Sequence, residues 1–146
     1  MKLKYLKKLK NLIPFCFLFI GTLALPQPSL AEEKIEVTTI IQSSKGLSGK
    51  NFNYLEGKPE LRLFKVKIPV GLKTPIHTHP SSMLIQVSRG RLKHVRGEEI
   101  NFFKAGDAFM ESNNGGSHYA KNVGKKPAII HVGVVSVVGV PTAIKK

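Results

Sequence analysis

From Ile35 onward the apolar residues come in short runs, and none recurs at helical spacing over ten residues. In an extended chain successive side chains point to opposite faces, so alternation with period two marks a strand with one buried face. Leu61-Arg62-Leu63-Phe64-Lys65-Val66-Lys67-Ile68 alternates apolar and basic residues in this way and predicts a half-buried strand ended by Pro69 and Gly71. Ile35–Ile41, rich in Ile, Val and Thr, predicts another. Between them, Gln42–Glu60 is polar and carries Gly46, Gly49, Gly57 and Pro59, so it reads as a loop or arm over the body. Further strands are predicted within 77–87, then over 91–95, 100–104, 108–111, 117–121 and 127–138. The turns between them fall at Gly90, Gly97-Glu98-Glu99, Ala105-Gly106-Asp107, Asn113-Asn114-Gly115-Gly116 and Asn122-Val123-Gly124-Lys125. Many short strands with Gly-rich turns predict an antiparallel sandwich or barrel.

The first 31 residues have a different pattern. Lys2, Lys4, Lys7, Lys8 and Lys10 precede an apolar run from Leu12 to Leu25, and Ser29-Leu30-Ala31 supplies a small-x-Ala site. A basic head, a short apolar body and a small-residue cleavage site predict a secretory signal peptide over 1–31, in preference to an uncleaved anchor. The run is short for a membrane span. The expected domains are the signal peptide, an N-terminal strand and loop arm over 32–60, and a barrel over 61–146. The mature protein is then expected to be periplasmic or secreted, with no membrane span.

Removing the leader also removes Cys16, the sole cysteine, so no disulfide, thiolate ligand or cysteine nucleophile is expected in the mature chain. The net charge of +14 falls as well. The leader holds five of the 23 Lys and Arg and none of the nine acids, which leaves 18 against nine, or +9. The basic residues alternate along strands (Arg62, Lys65, Lys67; Arg89, Arg91, Lys93) and do not cluster, so a solvated sheet face is expected. No nucleic-acid partner is expected. Attraction to a small anion or an anionic envelope polymer is the alternative reading of the charge.

Candidate chemistry concentrates in Gly71–Pro80 and at His118. In a strand His77 and His79 point to one face and present two imidazoles, the side chain that most often ligates metal. His118 would bring a third from a distant strand. Other chemistries lack their residues. Asp107 is the only Asp, which excludes a Ser-His-Asp triad, and no paired carboxylates or phosphate-binding glycine loop occur. No catalytic residue is assigned.

These residues resemble the cupins. The first cupin motif runs Gly, five residues, His-x-His, three or four residues, Glu, six residues, Gly. Gly71, His77, His79 and Gly90 fall in register with it, and Met83 stands where the Glu belongs. The second motif opens here at Gly106-Asp107 and closes at His118 and Asn122. Ser112 replaces its Pro, and one extra residue precedes His118. The resemblance covers about Leu61–Val135 and is closest to small exported single-domain cupins. It implies an all-β fold, the double-stranded β-helix or jelly-roll barrel, and a divalent transition metal (Fe, Mn, Zn or Cu) on His77, His79 and His118. Met83 removes the motif's one charged ligand. Glu111 is the other carboxylate that could supply a fourth donor, and the Met83 sulfur is a weaker one, better read as apolar filler. An inserted residue can mark a β-bulge, so parity does not settle where Glu111 points. His94, among Arg91, Lys93 and Arg96, reads as part of a solvated basic strand. Asp107 and Asn122 read as turn and strand-end supports.

The function expected is an exported metal-binding cupin. It would be either a mononuclear dioxygenase-like oxidoreductase acting on a small organic molecule, or a non-catalytic binder of metal or a small anionic ligand in the cell envelope. A homodimer paired through Ile35–Ile41 is the expected assembly.

Overall fold

The computed structural model describes residues 33–146. The signal-peptide reading and Cys16 lie outside the described residues. Among the described residues nine strands carry the structure: β1 (Pro59–Ile68), β2 (His77–Thr78), β3 (Ser82–Arg89), β4 (Arg91–Arg96), β5 (Glu99–Lys104), β6 (Ala108–Glu111), β7 (Tyr119–Asn122), β8 (Ala128–Val137) and β9 (Ile144–Lys145). They form a four-stranded sheet in the order β1-β8-β3-β6, a three-stranded sheet β5-β4-β7 and a small β2-β9 pair. All pairings are antiparallel. This is the all-β antiparallel architecture the strand pattern predicts, of the jelly-roll type the cupin resemblance implies. Among the described residues no helix is long and apolar enough to cross a membrane.

Strand β8 sets the core. Its alternate residues Ala128, Ile130, Val132 and Val134 are all buried and meet Ile68, Met83, Ile85 and Val87 from the neighbouring strands, with Leu92 and Phe109 from β4 and β6. Two glycines make the tight connections this core requires. Gly90, at φ 91°, turns β3 into β4, and a Cβ there would lie 2.8 Å from the Ala128 Cα. Gly106, at φ 95°, serves the β5–β6 turn, where the Asp107 carboxylate accepts the Lys104 N–H at 2.8 Å. Asn122, fully buried, donates to the carbonyls of Ile68 and Lys126 and accepts the Gly124 N–H. Both side chains hold turns, as read from the sequence.

Two expectations need correction. Within the single chain Ile35–Ile41 forms no strand, and Val37 and Ile40 are exposed. High β-propensity alone does not make a strand, because the backbone groups still need a partner edge. The strand over 61–68 exists as β1, but Leu61 and Leu63 lie on its outer face, 80% and 77% exposed. The alternation breaks phase at Leu63-Phe64, where two apolar residues are adjacent, so only one half can face inward. Val66 and Ile68 take the inner face, and Leu61 and Leu63 share the outer one with Lys65 and Lys67.

The arm over 42–58 crosses the end of β6. The Leu47 N–H donates to the Met110 carbonyl at 2.7 Å, and Leu47 packs on the core.

Candidate metal centre

The cavity between the two larger sheets has a volume of about 320 Å³. Phe64, Val66, Met83, Ile85, Ile130 and Val132 supply apolar wall, and His77, His79, His94, His118 and Glu111 supply the polar groups.

The structure brings His77, His79 and His118 together. His77 lies in β2, His79 directly after it, and His118 immediately before β7. The backbones of His77 and His118 exchange two hydrogen bonds of 3.0 Å, so their side chains are adjacent. The three ring centroids lie 4.6, 4.7 and 5.0 Å apart. Each ring is oriented through the same atom. Nδ1 of His77 faces the Pro75 carbonyl at 2.7 Å, Nδ1 of His79 the Thr142 carbonyl at 2.9 Å, and Nδ1 of His118 the Gly116 carbonyl at 3.1 Å. A carbonyl can only accept, so each Nδ1 carries the proton, and in the neutral ring Nε2 keeps the lone pair.

The carbonyl serving His79 comes from the C-terminal segment. That segment adds β9 to β2, and Arg62 of β1 donates to the Thr142 hydroxyl at 3.1 Å. Neither β9 nor this role of Thr142 was readable from the sequence, since main-chain carbonyls carry no residue signature.

Burial lowers the pKa of His118 to about 4, and lowers that of His79 as well, with the Coulombic effect of His77 adding to it. Both rings are therefore neutral at neutral pH, the form that ligates.

Glu111 points inward and is 2% exposed. The strand β6 is regular: Phe109 and Glu111 share its inner face, and Glu111 stands directly opposite Met83 across the β3–β6 ladder. The register shift falls instead in β3, between Val87 and Arg89. After Glu111 the chain turns, and the Gly115 N–H donates to the Ser112 carbonyl. Burial pushes the Glu111 carboxyl up, but His94, His118 and Arg96 outweigh it and hold the group below its ordinary range.

His94 corrects the sequence reading. It is 1% exposed, not solvated. It shares the inner face of β4 with Leu92, also fully buried, and the basic residues beside it take the other face or, as Arg96, turn in. The signal was present: Leu92, two residues earlier, marks which parity faces the core. His94 Nε2 lies 2.8 Å from Glu111 Oε1, and Arg96 donates to Glu111 Oε2. His94 stacks at a tilt on His118, centroids 4.7 Å apart. Met83 is 4% exposed and belongs to the core cluster.

Two overlapping sets of donors can therefore hold a cation: His77, His79 and His118, and His94, Glu111 and His118. Within each, the donor atoms lie within 4.8 Å of one another. The donors fit a divalent transition metal. In the first set each imidazole has its second nitrogen already anchored on a backbone carbonyl, and both sets line the wall of one cavity.

No protein-family profile matches the chain, and no curated protein matches its sequence. Its fold matches solved structures. The DMSP lyase DddQ from Ruegeria pomeroyi DSS-3 superposes with a TM-score of 0.50 at 20% identity, over 59% of this chain and 43% of that one. A cupin 2 domain-containing protein from Halorhodospira halophila gives 0.50 at 13%, over 58% and 57%. The oxalate decarboxylase of Lactobacillus farciminis gives 0.50 at 23%, over 58% and 26%. The chain thus spans about half the length of the first two and a quarter of the third. The fold is that of the cupins.

Proposed function

We propose that this chain is an exported metal-binding cupin in which His77, His79 and His118 hold one divalent transition-metal ion. The observation that carries the reading is the common anchoring of the three rings. Three Nδ1 atoms face three backbone carbonyls at 2.7 to 3.1 Å, which leaves three Nε2 atoms in one cluster. Histidines buried for packing have no reason to share a tautomer and a focus. Ligating histidines do, because the outer hydrogen bond fixes ring orientation and tautomer.

The finer reading is a mononuclear oxidoreductase of the dioxygenase-like kind acting on a small organic molecule. A bound divalent ion supplies Lewis acidity and, if it is iron or manganese, redox capacity. The chain's own residues supply the rest. The three imidazoles would hold the ion, and the apolar wall from β1, β3 and β8 would accommodate a small carbon skeleton. The basic surface favours an anionic molecule. The alternative, a binder without turnover, is supported by a different observation. Among the described residues Glu111 is the sole carboxylate lining the cavity, and one of its oxygens is held by Arg96. Among them, no further acidic group lines the mouth. The solved structures of like fold include a lyase and a decarboxylase by name, so the fold does not choose a reaction.

The test is elemental analysis of protein purified without tag or chelator, alongside His79→Ala. Close to one equivalent of metal is expected in the native chain. The variant, with its β-rich far-UV spectrum unchanged, is expected to hold added Co(II) at least about tenfold more weakly, and an unchanged affinity overturns the ligand assignment. Iron or manganese together with oxygen uptake on a substrate screen supports the oxidoreductase; zinc or copper without turnover supports the binder.

A further inference from the structure

The cavity's inner end contains donors that the three-histidine reading leaves idle. Among the described residues, both ring nitrogens of His94 and Oε1 of Glu111 are buried without a well-formed hydrogen bond. His94 Nε2 and Glu111 Oε1 approach to 2.8 Å. Their contact lacks the alignment of a ring N–H aimed at a carboxylate oxygen. A buried polar atom with no partner costs about 1–3 kcal/mol, more when charged, and asks for an explanation. Nearby packing does not supply one. His94 is wedged between the Phe109 edge, at 5.8 Å, and the His118 ring. Arg96 reaches only the other oxygen of Glu111.

A cation accounts for one His94 nitrogen and for Glu111 Oε1 together. His94, Glu111 and His118 are each at least 95% buried and place one donor atom apiece within 4.8 Å of the others. Ligand bonds of about 2 Å on either side of one ion span nearly that spread.

We propose that the cavity has a second, inner seat for a divalent transition-metal ion, formed by His94, Glu111 and His118. The inference rests on the reading of the cavity as a metal site and deepens it. His118 belongs to both sets, and its Nδ1 is committed to the Gly116 carbonyl, so a single nitrogen serves either seat. The two seats are therefore alternatives for one ion. The outer seat offers three neutral nitrogens and leaves the ionic charge uncompensated. The inner seat offers two nitrogens and a carboxylate, a harder set that suits Mn, Fe and Zn, whereas soft Cu(I) gains nothing from the oxygen. The carboxylate missing at Met83 is thus supplied from the opposite position of the ladder, together with a histidine from β4.

The test uses Co(II) alone as probe on the full mature chain. In His77→Ala/His79→Ala the outer seat is gone. The double variant is expected to bind one equivalent of Co(II), and adding Glu111→Gln is expected to weaken that binding by at least about tenfold to a hundredfold. If the folded double variant binds no Co(II) while the native chain binds one equivalent, the inner seat is overturned and the outer one stands. If the native chain binds none either, the metal reading itself fails. Should the double variant not fold, cadmium-113 NMR of the native chain loaded with Cd(II) decides. A resonance in the mixed nitrogen–carboxylate range supports the inner seat, and one in the all-nitrogen range overturns it.

Discussion

The mouth and the inner end of the cavity hold their polar groups by different means. At the mouth, His77, His79 and His118 are each fixed through one nitrogen to a main-chain carbonyl. At the inner end, Glu111 is fixed by side chains, with Arg96 on one oxygen and His94 against the other. The anchoring carbonyls of Pro75, Gly116 and Thr142 lie in the segments that lead into β2, β7 and β9, so the mouth is preorganised by main chain that those strands position. Side-chain anchors exist only if every member is present. The mouth therefore behaves as part of the scaffold, and the inner end behaves as a network in which members depend on one another.

Removing Arg96 gives the largest expected break in this comparison. Arg96→Met leaves the Glu111 carboxylate buried and without its cationic partner, while no anchor of the mouth is touched. Deleting one partner of a buried pair costs about 3–5 kcal/mol. The Arg96 side chain is 11% exposed and that of Glu111 2%, which places the pair in that class. The metal-free variant is expected to lose about 3 kcal/mol in urea unfolding. A loss below about 1 kcal/mol, the range of exposed pairs, would show that the inner end does not depend on this network.

Acid titration sharpens the same contrast in a protein stripped of metal by chelator. The folded-state pKa of His118 is lowered from 6.5 to about 4, chiefly by burial. Between those values the unfolded chain takes up a proton that the folded chain refuses, so stability falls as pH drops from 6.5 towards 4. The folded-state pKa of Glu111 is also lowered, from 4.5, so its contribution is present above 4.5 and is lost as pH falls below that value. The two groups act in the same direction, the His118 effect first and the Glu111 effect at lower pH. Thermal unfolding followed at steps from pH 7 to pH 4 is expected to show a steady decline in midpoint. Bound metal is expected to steepen it, because protons and the ion compete for the same nitrogens. A midpoint rising towards pH 4 would contradict the burial of His118.

The division between mouth and inner end is also the division between what the sequence made legible and what it did not. His77 and His79 are two apart in one extended segment, and Gly71 and Gly90 frame them, so local spacing alone places two donors on one face. The strands over 59–68, 91–96, 99–104 and 128–137 follow from alternation and turn residues in the same way. His94 was hidden because its immediate neighbours are basic. Its face is set by Leu92, whose burial is a property of the sheet and not of the neighbouring charges. Ile35–Ile41 misled for the opposite reason: its composition suits a strand, but a strand also needs an edge to pair with. Glu111 could not be placed because an inserted residue nearby can mark a β-bulge, which re-aims side chains against strand parity. The Thr142 carbonyl had no signal at all, since any residue at 142 would offer the same oxygen.

The smallest expected effect tests whether the cavity treats the two sides of one ladder rung differently. Met83 and Glu111 are cross-strand partners, and both face inward. Met83 packs with Ile85, Val132 and Val134, all apolar, and belongs to neither donor set. Leucine has nearly the same volume and no sulfur, and such swaps in cores cost less than about 1.5 kcal/mol. Met83→Leu is therefore expected to leave metal content and affinity unchanged, with a stability change inside that limit, read by competition with a chromogenic chelator and by urea unfolding. A tenfold loss of affinity, confined to copper, would instead identify the thioether as a donor, because soft sulfur selects Cu(I). An equal loss for zinc, manganese and copper would point to displaced histidines, since a misplaced rung shifts Glu111 and the β3 backbone together. Unchanged binding of every ion would leave Glu111 as the one side chain on that rung with chemistry to offer, and Met83 as the apolar surface against which it is held.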